Sequence, residues 1–272
     1  MRRKRNIWNV ALSLMSISVL TSMPILSSNA FKDSESGSFT DPRDGQTYRY
    51  VQIGDQAWMA ENLRYLPSVS GPGAGSTTTS YYYVYGYDGD DVNAAKDTEN
   101  YQNYGALYNW DAAMGGASTS NSNPSEVQGA CPPGWHVPSH AEWAQLIKHI
   151  ENDGYFNSNW EMGSGNMLKS GNQVGSALGG TCNTAEHPRW ESHDIHYGFD
   201  EYGFTALPGG KLQSFTAIFT DLGMTGYWWT TSEYTLSGAW NIRISYSNGK
   251  INRLINDKTS GLSLRCVRNK LP

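Results

Sequence analysis

The sequence predicts an α+β fold with twisted, irregular antiparallel strands, one well-capped helix and long surface loops. The chain is rich in turn-forming and aromatic residues, with 29 Gly, 17 Tyr and 10 Trp among 272 residues, which is typical of loop-rich β or α+β domains. One segment combines a helix cap with helically spaced apolar residues. The C-terminal segments alternate apolar and polar residues with the two-residue period of strands.

The N-terminal region has the pattern of a secretory signal peptide. Basic residues Arg2–Arg5 precede an apolar run from Ile7 to about Leu26. We predict a signal peptide over residues 1–30, a flexible leader over 31–38 and a single domain over 39–272. No second apolar stretch of membrane-spanning length follows in the sequence. We therefore expect an exported protein in the periplasm, on the cell surface or in the medium.

The charge balance argues against nucleic acid as a partner. The chain has 20 Lys and Arg residues against 25 Asp and Glu residues, a formal net charge of -5, and the predicted signal peptide carries basic residues but no acidic ones. An acidic chain gains little from the counterion release that drives binding to phosphate backbones. We expect neither nucleic acid nor anionic lipid as a partner.

The first predicted strands form a hairpin. The segment QTYRYVQI is rich in strand-forming residues, and Gly54-Asp55 after it supplies a turn. The returning segment contains Trp58, Met59 and Leu63, which are apolar enough to enter a core.

Residues 68–103 are dominated by Gly, Ser, Thr, Tyr and Asp without a regular period, which predicts a long surface excursion. Within it, Asp88, Asp90, Asp91 and Asn93 are oxygen ligands at the close spacing that calcium loops use. The run lacks the glycine and terminal glutamate of an EF-hand. A solvated acidic loop is the favoured interpretation, and calcium is the alternative.

The predicted helix begins after Ser139. This residue is a good N-cap, and Glu142 three positions later completes a capping box. The apolar residues that follow have the i, i+3, i+4, i+7 spacing of one buried helix face; they are Trp143, Leu146, Ile147 and Ile150.

The C-terminal region predicts a hairpin and a final strand. Apolar residues alternate from Trp240 to Tyr246, Asn248-Gly249 forms a preferred hairpin turn, and Lys250–Ile255 returns. The last segment, GLSLRCVRN, also alternates, which places three inward-pointing residues on one face; they are Leu262, Leu264 and Cys266.

The chain contains three cysteines, so an oxidising compartment favours one bridge and one remaining thiol. Cys131 lies just before the helix and Cys266 in the last strand. We predict a disulfide between these two, which would tie the helix to the sheet, and we predict Cys182 as the unpaired residue.

Two groups of side chains could bind a metal. His193-x-x-His196 with nearby Asp200 could form a loop site, although a polar surface segment is the favoured interpretation. His136 and His140 with Glu142 could bind zinc. The helix begins at His140, so the two imidazoles would not share a face, and the helix cap is favoured here.

Several stretches occur together in one order: DPRDGQTYRYVQIGDQAWMAENL, YGALYNWDAAM, CPPGWHVPSHAEW, DEYGFTALPGGKL, GYWWTTSEY and GLSLRCVRN. Together they resemble the Fibrobacter succinogenes major paralogous domain family of secreted or surface bacterial proteins, over about residues 39–269. The resemblance implies a C-type-lectin-like domain in the variant shared with formylglycine-generating enzymes.

The resemblance supplies no catalytic mechanism. Calcium-dependent lectins of this fold use a Trp-Asn-Asp strand, whereas this chain has Trp240-Asn241-Ile242. The oxidase relatives use a cysteine pair, and a bridge between Cys131 and Cys266 would leave Cys182 alone. The sequence also lacks the G-x-S-x-G, phosphate-loop and C-x-x-C motifs.

From these observations we predict a non-enzymatic, exported binding module that requires no cofactor. The expected partner is a glycan or another cell-surface component, because exposed aromatic rings can stack on sugars. The candidate ligand contacts are Tyr83, Tyr85, Trp228, Trp229 and Asn241. The alternatives are a metal-dependent enzyme that uses His193, His196 and Asp200, and a structural component of a surface assembly.

Overall fold

The structure is a computed structural model, and it describes residues 36–153, 163–170, 190–191, 193, 196 and 198–269. The strands are β1 (Ser36–Thr40), β2 (Thr47–Ile53), β3 (Gln56–Met59), β4 (Tyr82–Tyr83), β5 (Leu107–Tyr108), β6 (Gly209–Gln213), β7 (Ile218–Leu222), β8 (Thr225–Glu233), β9 (Gly238–Ser245), β10 (Ile251–Asp257) and β11 (Val267–Asn269). The helices are α1 (Val92–Lys96), α2 (Glu99–Tyr104), α3 (Trp110–Met114), α4 (His140–Asn152) and α5 (Ser164–Leu168).

Two curled sheets dominate the described part of the chain. One has the strand order β1-β2-β3-β11, and the other has the order β10-β9-β8-β6-β7. Strands β4 and β5 form a small ribbon, and the pairing of β6 with β8 is the one parallel contact among the named strands. The predicted α+β class is confirmed, with sheets outweighing helices. None of the described helices has the length and apolar character needed to cross a membrane.

The first hairpin forms as predicted, with β2 and β3 joined through Gly54-Asp55 and Ile53 facing Gln56. The leader prediction is wrong at its end. Residues 36–38 belong to β1, which pairs antiparallel with β2 from Ser36 opposite Val51 to Thr40 opposite Thr47. The strand forms because its backbone groups complete the edge of the β2–β3 hairpin. Residues 1–35, with the predicted signal peptide, lie outside the described part.

The segment 68–103 is more ordered than the predicted surface excursion. It contains β4, α1 and α2, and it buries Val69, Tyr83, Val84 and Tyr101 in the core. Its tyrosines act as anchors, because each buried ring contributes apolar area and its hydroxyl finds a backbone acceptor. Tyr101, for example, donates from its hydroxyl to the carbonyl oxygen of Arg64 at 2.7 Å.

Helix α4 confirms the predicted capping box. The Ser139 hydroxyl accepts from the backbone N–H of Glu142 at 3.2 Å, and the Glu142 carboxylate accepts from the backbone N–H of Ser139 at 2.9 Å. The apolar face packs inward through buried Trp143, Leu146 and Ile150. This face meets Trp58 and Phe204 in an aromatic cluster.

The C-terminal hairpin consists of β9 and β10, with Ile244 opposite Ile251. The final segment is regular only in β11, which pairs with β3. Before it, residues 261–263 make isolated bridges to other segments. As predicted, Leu262, Leu264 and Cys266 are buried in one core cluster. The predicted disulfide Cys131–Cys266 is present and spans a sequence separation of 135 residues.

Candidate functional site

A polar cleft of about 360 Å³ lies where three segments meet. They are β2 with the residues after β3, the C-terminal end of α2, and the segment around Thr205 together with Ser170, whose N–H donates to the Ala206 carbonyl oxygen. The lining consists mainly of charged, amide and hydroxyl side chains, and Leu207 and Ala60 are among its few apolar members. Its volume is at the lower end of the range for small-ligand sites, roughly 300–1,000 Å³.

Asn62 forms the fixed base of the cleft. Its amide nitrogen donates to the Tyr104 carbonyl oxygen at 3.0 Å and to the Ser263 hydroxyl at 3.4 Å. Its amide oxygen accepts from Trp228 Nε1 and from Arg265, both at 2.9 Å. All four hydrogen-bonding positions of the amide are therefore occupied, which holds the residues beside it in one arrangement.

Arg265 is a buried cation behind this base. Its guanidinium donates to the carbonyl oxygens of Phe204 and Thr205 as well as to Asn62, and it lies 4.4 Å from the Phe204 ring centroid. Burial lowers the pKa of Arg265 to about 9, although the nearby Asp200 opposes this shift. Among the described residues no carboxylate forms a salt bridge with Arg265, so its charge adds positive potential behind the cleft.

An ionic trio lines one side of the cleft. The Glu61 carboxylate lies 3.2 Å from Arg49 Nε and 3.4 Å from an Arg64 terminal nitrogen. The Glu61 and Arg64 side chains are only 19% and 23% exposed, whereas Arg49 is 65% exposed. With two cations and one anion, the trio carries one formal positive charge at the rim.

Contacts with β2 and with the residues that follow α2 hold the backbone of the cleft. The Arg64 N–H donates to the Tyr48 hydroxyl at 2.9 Å, and the Ala106 N–H donates to the Leu63 carbonyl at 3.2 Å. Gly105 follows α2 with φ of +79°, and a Cβ there would lie 2.8 Å from the Leu63 oxygen. A side chain at Gly105 would therefore push α2 away from the cleft base.

The sequence prediction missed this cleft because its residues come from distant segments without a common motif. The sequence pattern indicates only one contact in the cleft, the pair Arg49 and Glu61. In the predicted β2–β3 hairpin their opposite charges stand near each other across the strands, where such pairs commonly form. The residues next to Asn62 and Arg265 in the sequence give no pattern that predicts either role.

Four predicted ligand contacts are buried, and the prediction is wrong for them. Trp228, Trp229, Tyr83 and Asn241 have no exposed surface, and a buried ring has no face on which a sugar could stack. Trp229 Nε1 donates to the Tyr108 carbonyl at 2.7 Å, and the Tyr83 hydroxyl donates to the Ala74 carbonyl at 2.7 Å.

The fifth predicted contact, Tyr85, is half-buried and packs against Phe219 with ring centroids 5.1 Å apart. It does not line the cleft.

The predicted metal group does not converge. The rings of His193 and His196 lie 4.6 Å apart, but the Asp200 carboxylate accepts from the Thr205 N–H at 2.7 Å and the Thr205 hydroxyl at 3.0 Å. Burial raises the pKa of Asp200. In the described part of the chain, no group of three or more His, Cys, Asp or Glu side chains is arranged to hold a metal ion. Cys182 lies outside the described residues.

The second histidine group is a structural unit, in agreement with the favoured interpretation. His136 Nε2 lies 2.5 Å from one carboxylate oxygen of the buried Glu142, whose other oxygen accepts from the N–H groups of Ser125 and Ser139. His140 instead contacts Arg253 through Nε2 at 2.5 Å. The histidines therefore contact different partners.

The acidic loop contributes a helix cap. The exposed Asp91 is the N-cap of α1, and its carboxylate accepts from the N–H groups of Asn93 and Ala94 at 2.8 and 3.2 Å. This contact uses one carboxylate of the predicted calcium ligands for capping.

The described chain is thus a sheet-rich α+β domain with a preorganised polar cleft. The family model of the Fibrobacter succinogenes major domain matches residues 51–268. This range covers most of the chain, and the protein belongs to that family. It includes the residues that line the cleft apart from Arg49. No curated protein and no solved structure matches the chain.

Proposed function

We propose that the protein is an exported, non-enzymatic binding module whose ligand is a glycan held in the polar cleft. The observation that carries this proposal is the lining, in which amide, hydroxyl and guanidinium groups face one concave space around the fixed Asn62. Sugars offer many hydroxyl groups, and a preorganised set of donors and acceptors binds them at a small entropic cost. The basic and apolar N-terminal sequence supports export.

We also propose the C-type-lectin-like architecture for the domain. The family membership, the curled sheets and the predominance of short helices support this assignment. A crystal structure that superposes on a C-type-lectin-like domain with the same strand order would support it, and a different connectivity would refute it.

The other candidate functions lack a comparable site in the described residues. A metal-dependent enzyme built on His193 and His196 would need further ligands, because Asp200 is held by Thr205. A structural role in a surface assembly is compatible with the exposed Phe215 and Leu236, but these side chains do not specify a partner.

The cleft predicts a defined effect of removing two polar groups that line it. The double substitution Gln102→Ala/Asn103→Ala shortens two lining amides, and we expect glycan affinity to fall by roughly tenfold, as for the loss of one or two hydrogen bonds. The matched control is Gln213→Ala/Asn269→Ala, which removes two exposed amides outside the cleft.

The experiment screens the purified protein on a glycan array and measures the hits by isothermal titration calorimetry. The cleft variant should bind more weakly and the control should bind as the unchanged protein does. The absence of any hit, or equal losses in both variants, would refute glycan binding in the cleft.

A further inference from the structure

The ionic trio at the cleft has unused donors. Arg49 contacts Glu61 through Nε, and Arg64 contacts it through a terminal nitrogen. Within the described residues, the other guanidinium nitrogens of these two side chains make no further hydrogen bond. A guanidinium is always charged and presents its N–H groups in a planar fork. The trio therefore combines a formal charge of one with several available N–H donors.

The residues behind the cleft increase the positive potential. Arg265 lies beyond Asn62 and Thr205, in a region with little water to screen it. Among the described carboxylates, Glu61 pairs with Arg49 and Arg64, and Asp200 acts on Arg265. With both carboxylates charged, three guanidinium groups against two carboxylates leave one formal positive charge. The balance at the cleft favours an anion.

The local charge contrasts with that of the whole molecule. The chain carries a formal net charge of -5, which repels long polyanions before they reach the cleft. A ligand with a single anionic group, on a short chain or at the end of a chain, is repelled less strongly. Planar carboxylates match the fork of a guanidinium through two parallel hydrogen bonds.

We propose that the cleft binds the carboxylate of an acidic sugar at the end of a short glycan, with Arg64 and Arg49 as its donors. This inference rests on the proposed function and names the ligand class of the same site. Glu61 holds the two guanidinium groups together and, as the opposing charge, limits the affinity for the acid.

The test pairs each acidic ligand with a neutral form of the same ring. Short glycans that carry galacturonic, glucuronic or N-acetylneuraminic acid are compared with their methyl esters by isothermal titration calorimetry. We expect the acid to bind roughly tenfold more tightly than the ester, because the ester loses the charge-assisted hydrogen bonds.

Three variants sharpen the test. Arg64→Gln should abolish the preference for the acid, whereas Lys148→Gln, which removes an exposed positive charge outside the cleft, should leave it unchanged. Glu61→Gln should raise the ratio of acid affinity to ester affinity about threefold, since it removes the opposing charge and keeps an oxygen that accepts from both guanidinium groups. A purely structural role of Glu61 would give no such gain, and thermal melting of each variant verifies that it is folded.

The results distinguish a failure of this inference from a failure of the proposed function. If esters or neutral glycans bind as well as the acids, and Gln102→Ala/Asn103→Ala weakens them, the inference about charge is wrong and the proposed function stands. Preferential binding of sulfated glycans would also overturn the carboxylate assignment. If no glycan of either kind binds, both proposals fail.

Discussion

Lys169 is the most deeply buried of the described lysines. It is fully buried at the end of α5, and its ammonium donates to the backbone carbonyls of His196 and Asn248 at 2.8 and 3.0 Å. The ring of Trp190 lies 5.5 Å away. No described carboxylate forms a salt bridge with it. Burial lowers the pKa of Lys169 to about 7, because removal from water destabilises the charged form.

This burial predicts a pH dependence of stability. Between pH 7 and 10 the unfolded chain keeps the Lys169 proton, because a lysine in water has its ordinary pKa of 10.5, whereas the folded chain releases it. The unfolded state then binds more protons, so stability rises with pH, by about 1 kcal/mol per pH unit. Urea unfolding of the unchanged protein and of Lys169→Met at pH 7.5, 8.25 and 9 measures this slope.

The difference between the two proteins isolates the contribution of Lys169. The slope should be lost in Lys169→Met and kept in Lys148→Met, which removes an exposed lysine. Parallel curves for all three proteins would show that Lys169 keeps its proton in the folded state.

At the residue scale, local chemistry was predictable and remote chemistry was not. The Ser139 and Glu142 cap follows from spacing alone, because both partners belong to one helix turn. The tryptophans assigned to a ligand are instead core residues, since Trp228 and Trp229 carry apolar area that the sheets bury. Asn62 gave no signal because its partners lie as far away as Arg265.

Among the elements, α3 and the loop before α4 are joined at a very close contact. The Ala130 N–H donates to the Ala113 carbonyl at 3.0 Å. Gly129 beside it has a φ of +53°, and a Cβ there would lie only 2.7 Å from Val137 Cγ2 and would also clash with the Ala113 oxygen. Position 129 therefore requires glycine for two reasons: the backbone has a positive φ, and a Cβ would have no space.

Two glycine substitutions separate these effects. Gly116→Ala changes a residue with φ of +76° that has open space around it, so we expect a loss of about 1 kcal/mol from backbone strain. Gly129→Ala adds the steric clash, and we expect a loss of about 3 kcal/mol. Equilibrium urea unfolding measures both, and equal losses would show that the loop moves aside without cost.

The elements differ in how clearly the sequence pattern predicts them. The two hairpins and α4 have clear periods, and all three form, but Asn248-Gly249 lies within a longer connection over residues 246–250 and does not form the predicted two-residue turn. The segment 68–103 was misassigned because its anchoring tyrosines are irregularly spaced. Its order depends on contacts with distant residues, such as the bond from Tyr101 to Arg64.

At the scale of the whole molecule, the disulfide Cys131–Cys266 connects the segment before α4 to the segment before β11. The two cysteines are separated by 135 residues and are fully buried. A cross-link over such a distance removes many conformations from the unfolded chain.

We expect Cys131→Ala/Cys266→Ala to lower the free energy of unfolding by about 5 kcal/mol according to the loop-entropy relation. Chemical denaturation under non-reducing conditions measures the change. Cys182→Ala is the control and should have no such effect, because the other two cysteines of the chain are bonded to each other. A similar stability for the unchanged protein and the double variant would contradict this account.

The overall class could be predicted because composition and periodicity act along the whole chain. The cleft could not, since it depends on how β2, α2 and the Thr205 segment approach one another in space. Its charges are spread over the sequence and become a site only when the core has formed.

The pairing of β3 with β11 determines when folding can finish. Trp58 in β3 faces Val267 in β11, and these residues lie near opposite ends of the family domain. In a chain that is synthesised from its N-terminus, the β2–β3 hairpin can form early, but β3 gains its second partner only after the last residues have been added. Such long-range pairing is slow. A product that stops before Cys266 lacks both the closing strand and the cross-link, and we expect it to be degraded rather than to accumulate as a partly active fragment.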